Sequence, residues 1–103
     1  MNKKVSLKIP EKLLDRSLEG ITSSFKSFSD RKMRARFVRE LLANFLDIIS
    51  KKHDSPNKIK AYRAKVDEFF SYLKEHNVLD TNDLENCTKT YDQIITDYLP
   101  TRP

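Results

Sequence analysis

Lys3-Lys4-Val5-Ser6-Leu7-Lys8-Ile9 alternates without a break. Val5, Leu7 and Ile9 fall on one face and Lys4, Ser6 and Lys8 on the other, the period of two that a half-buried β-strand requires. A lone strand in an otherwise helix-patterned chain leaves its edges unpaired, and its simplest partner is its own copy. Two chains laying this segment antiparallel about a two-fold axis would turn Val5, Leu7 and Ile9 onto a shared core and gather the lysines and Ser6 on one polar face. The alternation therefore predicts a mainly α protein with one N-terminal β-strand, paired in an intertwined homodimer and followed by a helical extension.

Working outward, Pro10 fixes φ and Glu11 complements a helix amino terminus, so a first helix is expected to start there. Its stripe is Leu14, Leu18, Ile21 and Phe25, with Leu13 alongside. The segment Lys26 to Asp30 reads as a turn ending in a cap at Ser29 or Asp30. A second helix from Arg31 to Ser50 carries Met33, Phe37, Val38, Leu41, Leu42, Phe45, Ile48 and Ile49 on one broad face. Its first turns are crowded by Arg31, Lys32, Arg34, Arg36 and Arg39. Cations at a helix amino terminus oppose the macrodipole, so the cluster calls for a nearby anion, and a phosphate would serve.

Ser55-Pro56 then caps and opens a third helix, with Ile59, Tyr62, Val66, Phe69 and Leu73 spaced three, four, three and four. Phe70 widens that face, and Asn77 ends the helix near residue 76. Asp80 and Thr81 are expected to cap a brief turn through Glu85, with a last helix starting at Thr88 or Thr90, bearing Tyr91, Ile94, Ile95, Tyr98 and Leu99 and stopping at Pro100. Residues 1–52 thus read as a DNA-binding and dimerisation region and residues 53–103 as a helical assembly or partner-binding region. Tyr62, Phe69, Phe70, Tyr91 and Tyr98 are assigned to core and assembly rather than to base stacking, because helical spacing already accounts for them.

The charge is divided unevenly. Residues 1–52 hold 13 Lys and Arg against 6 Asp and Glu, whereas residues 53–103 hold 7 against 9. A basic first half attracts polyanions, since each neutralised phosphate releases a counterion. A two-stranded ribbon fits the DNA major groove, which assigns Lys4, Ser6 and Lys8 to base edges. Lys3, Arg31, Lys32, Arg34 and Arg36 would hold flanking phosphates. Val5, Leu7 and Ile9 would share the dimer core with Phe37, Val38, Leu41 and Phe45. The lone Cys87 reads as an ordinary thiol, and His53 with His76 supplies no zinc spacing. His53 beside Asp54 lacks a nucleophile motif, so no enzyme, metal or cofactor is expected. With no long apolar run, a membrane span is not expected and a cytoplasmic location is.

The run Lys3 to Asp15, a basic alternating strand meeting Pro-Glu and a leucine-bearing helix, resembles the opening of ribbon-helix-helix regulators. Arg36-Phe37-Val38-Arg39-Glu40-Leu41-Leu42 resembles the start of their second helix. The turn between the helices is longer than is usual there, and Ala35 stands where many members have a phosphate-binding serine. With its folded helical extension the chain is similar to plasmid partition adaptors of the ParR type. That resemblance implies a sequence-specific double-stranded DNA-binding dimer, bound in tandem at centromere-like repeats and repressing its own promoter, with a filament-forming ATPase as protein partner. A repressor or antitoxin, a relaxosome accessory protein, or a helical interaction module without a DNA role are the alternatives. Residues 55–99, with Lys60-Ala61-Tyr62-Arg63 and Phe69-Phe70-Ser71-Tyr72-Leu73, also resemble the helical core-binding domain of tyrosine recombinases, without any catalytic domain.

Overall fold

The structure is a computed structural model and describes residues 13–51 and 56–98. Among these residues a 3-10 turn, Leu13–Asp15, precedes four α-helices: α1 Leu18–Lys26, α2 Arg31–Lys51, α3 Pro56–His76 and α4 Thr81–Tyr98.

Local chemistry sets the helix ends. Ser17 is extended (φ −66°, ψ 158°) and its hydroxyl accepts the Gly20 N–H at 3.1 Å, so α1 starts at Leu18, well after Pro10. The preceding turn is held by α3: Tyr62 donates to Asp15 at 2.6 Å, and the Lys65 ammonium donates to the Leu14 and Arg16 carbonyls at 2.7 Å each. Leu13 and Leu14 are fully buried there. Asp30, at the head of α2, accepts the Lys32 N–H at 2.8 Å. Asn77 adopts φ 51°, the left-handed conformation that closes many helices, and ends α3 as its residue type predicts. α4 then runs unbroken from Thr81, with the Asp80 carbonyl accepting the Leu84 N–H at 2.9 Å. The expected turn through Glu85 is absorbed into the helix because Asp83, Cys87, Tyr91 and Ile94 form one buried stripe.

α2 and α3 run antiparallel, for Arg34 near the start of α2 reaches the Val78 carbonyl just beyond the end of α3. α4 runs parallel to α2, since Arg39 meets Asp83 and, further along both helices, Phe45 meets Tyr91. One core joins them. Phe25 of α1 stands edge-on to Phe37 of α2 and to Phe69 of α3, with ring centroids 5.9 and 5.3 Å apart. Tyr91 of α4 stacks on Phe70 at 5.2 Å and tilts against Phe45 at 6.0 Å. Buried residues from Leu13 to Ile94 form a single cluster, so residues on both sides of position 52 share it.

The mainly helical expectation agrees with this architecture, but the ribbon-helix-helix class does not. No strand occurs among the described residues. The physical reason is in the covering of the first two helices. In an intertwined dimer their apolar stripes need a second chain, whereas here α1, α3 and α4 of the same chain leave Phe37 1% exposed and Val38, Leu41 and Phe45 wholly covered. Phe37, Val38, Leu41 and Phe45 are therefore buried within the core of one chain. The strand segment itself, with Lys3, Lys4, Val5, Ser6, Leu7, Lys8 and Ile9, lies outside the described residues.

Phe69 is fully buried at the junction of α1, α2 and α3. Phe69→Ala is expected to lower stability by about 3–5 kcal/mol through lost transfer energy and the cavity left behind. Urea unfolding followed by circular dichroism should show the midpoint falling with little change in slope.

Candidate functional site

Of the cations assigned to DNA phosphates, Arg31, Lys32, Arg34 and Arg36 gather at the head of α2, and the first three face the chain's own acceptors. Arg31 donates through Nε to Asp80 Oδ1 at 2.8 Å and through Nη2 to the Asn77 carbonyl at 3.5 Å. The Lys32 ammonium sits 3.5 Å from Asp80 Oδ2 and 3.2 Å from Asp83 Oδ2. Arg39 Nη2 lies 3.3 Å from Asp83 Oδ1. Arg34 donates to the Phe28 carbonyl at 2.7 Å and the Val78 carbonyl at 3.3 Å, its guanidinium 5.6 Å above the Phe25 ring. Arg36 is exposed and stands outside this network.

An anion does answer the positive head of α2, and the fold supplies it. Asp83 is the one charged residue buried among those described, with a side chain only 10% exposed between Lys32 and Arg39. Two cations on one buried carboxylate offset its desolvation, the condition under which such a group is tolerated. The Asp80 carboxyl is held below its ordinary range chiefly by the hydrogen bond from Arg31, against a smaller opposing effect of burial. Lys32 is correspondingly held above the usual lysine range by Asp83 and then Asp80. Both aspartates also sit at the amino terminus of α4, where negative charge suits the macrodipole.

The remaining charge is distributed in a telling way. Residues 1–12 contain four Lys and one Glu, whereas residues 13–98 contain 15 Lys and Arg against 14 Asp and Glu. The helical body as a whole is nearly neutral: residues 1–12 carry a net +3 of the first half's +7, and the other +4, in residues 13–52, is largely balanced by the acidic second half. The opening segment includes Lys3, Lys4, Ser6 and Lys8, which lie outside the described residues.

The aromatic residues assigned to a partner are mostly enclosed. Tyr62, Phe69, Phe70 and Tyr91 are buried in the core, and only Tyr98, 46% exposed, reaches solvent. Tyr91 donates to Asp67, and burial, then that carboxylate, pushes its phenol well above the ordinary tyrosine value.

Beside this core a groove of about 270 Å³ runs between α2 and α4, floored by Leu42, Ala43, Leu46, Cys87, Thr90 and Ile94. It continues into a hollow of about 410 Å³ bordered by Lys89, Gln93, Asp97 and Tyr98. Burial raises the Cys87 thiol above its ordinary value, which makes it a poor nucleophile. Sequence reasoning missed this groove because α4 was expected to start later, leaving Asn86 to Thr90 without a helical face. Among the described residues no cluster of His, Cys, Asp and Glu is placed to hold a metal ion, and no helix is long and apolar enough to cross a membrane.

Two measurements check this account. Asp83→Ala removes the carboxylate that Lys32 and Arg39 share, leaving Lys32 only Asp80, and is expected to cost about 1 kcal/mol, lowering the thermal midpoint by roughly 4–8 °C. The raised Tyr91 phenol contributes stability that is complete below pH of about 10 and lost as pH rises past it, because only the unfolded chain ionises there. Thermal melts in alkaline buffers should therefore show Tyr91→Phe losing less stability above that pH than the parent chain.

Compared with known proteins, the chain matches no family model, no curated protein and no solved structure.

Proposed function

We infer that the chain is an interaction module, without chemistry of its own, whose helical body binds protein through its α2–α4 side. One observation carries this reading: Arg31, Lys32, Arg34 and Arg39 are committed to Asp80, Asp83 and backbone carbonyls, so the body offers little surplus charge to a polyanion. The α2–α4 side instead offers an apolar floor with a polar border, the composition of a protein-binding surface. A lone buried thiol suits the reducing cytoplasm, which is the compartment proposed.

A second reading is favoured by the four lysines of residues 1–12. In it the opening segment contacts double-stranded DNA through Lys3, Lys4, Ser6 and Lys8. The helical body then recruits the protein partner of a partition, repressor or relaxosome complex. Basic arms of this kind reach DNA grooves beside a folded body.

Fluorescence anisotropy with a labelled random duplex, titrated across salt, tests the division between arm and body. Replacing Lys3, Lys4, Lys8 and Lys12 together by alanine is expected to remove any salt-dependent binding, flattening the slope of log K against log salt by up to about 3.6. Arg36→Ala should change it little. Loss of binding in a folded Lys32→Ala chain with the four lysines intact would place the polyanion site on α2 and overturn the reading.

A further inference from the structure

We propose that a second copy of this chain occupies the α2–α4 side, the two α4 helices meeting antiparallel about a two-fold axis at Gln93, with Lys89 facing Asp97 of the partner subunit. The proposal rests on the reading of that side as a protein-binding surface and names its occupant.

Lys89, Gln93 and Asp97 are four residues apart, so they form one ridge along α4. All three are exposed. Their charges run positive, neutral, negative. A two-fold axis through Gln93 maps that residue onto itself and exchanges the positions four before and four after it. Each lysine then meets a carboxylate, twice, as an isologous interface requires. A parallel arrangement would set lysine on lysine. A uniformly acidic or basic peptide would meet one like charge whichever way it lay. The sequence of signs is therefore complementary to itself when reversed, which singles out a second copy.

The apolar groups lie in register with this ridge. Thr90 and Ile94 follow Lys89 and Gln93 by one position and line both the groove and the hollow, together with Leu46 of α2. Tyr98, the one large hydrophobic side chain exposed among the described residues, borders the same hollow. Ala43 leaves room on α2 for a neighbouring helix. Within one chain Gln93 donates to both Asp97 oxygens at 3.1 Å, which holds the carboxylate on the ridge. An apolar floor with a charged border on one helix suits a weak association, with a Kd expected on the order of 10–100 µM.

Sedimentation equilibrium of the full chain, up to about 1 mM, reads the association directly. Lys89→Glu and Asp97→Lys are exposed changes, and thermal melts should leave their folds intact. Each alone places like charges across the axis and is expected to weaken self-association at least about tenfold. An equimolar mixture of the two variants pairs Glu with Lys and Asp with Lys, so a heterodimer of parental strength should form. The double variant should pair with itself in the same way. A parent chain that stays monomeric, single variants that associate like the parent, or a mixture that fails to recover would each overturn the proposal. Its failure leaves the α2–α4 side as a surface for a different protein, whereas polyanion binding lost in Lys32→Ala would remove the observation on which the underlying reading itself stands.

Discussion

The carboxylate of Asp83 lies between Lys32 and Arg39, and Asp80 between Arg31 and Lys32. This contact fixes where α4 begins relative to α2 and hence the alignment of the two parallel helices. Side by side, their amino termini bring two positive dipole ends together, and the α2 cations add to the repulsion. Two aspartates at that end reverse the balance. Individually such pairs are weak where exposed, but the low exposure of Asp83 and its two partners make the group matter more than its separate members. Arg34 completes the arrangement by joining the α1–α2 connection, the α3–α4 connection and the Phe25 ring.

The aromatic core explains why a single chain suffices. Phe25, Phe37 and Phe69 come from three helices and meet edge to face, while Phe45, Phe70 and Tyr91 join α2, α3 and α4 deeper along the body. Each helix covers the stripe of another, which removes the need for a partner chain in the core. It also sets what is left for function: the α2–α4 side, the exposed Arg36, and the lysines of the opening segment.

Much of the helical pattern was legible. α2 and α3 coincide with their hydrophobic periodicity nearly end to end, and Asn77 closes α3 as its residue type suggests. Where the reading failed, the deciding interactions were remote in sequence. α1 is capped by Ser17 and begins at Leu18 rather than Pro10 because Tyr62 and Lys65 hold the preceding turn from α3. The start of α4 was obscured by a mostly polar stretch, Thr81 to Glu85, in which Asp83 turns inward although it reads as a solvent residue. The same error hid the groove. The need for an anion at the head of α2 was legible, but its identity was not, since a phosphate and an aspartate 51 residues away satisfy it alike. The alternation of residues 3–9 suggested a ribbon from local period alone, and period says nothing about how the helices that follow are covered.

The placement of α4 against α2 has a consequence for biosynthesis. Phe37 is covered in part by Phe69 of α3, and the ion pairs that seat α2 span 44 to 51 residues. A ribosome must therefore release the chain as far as α4 before the first long helix finds its full cover. Until Ile94 emerges, part of the early apolar stripe lacks its cover, so the four helices fold together rather than one after another as they are made.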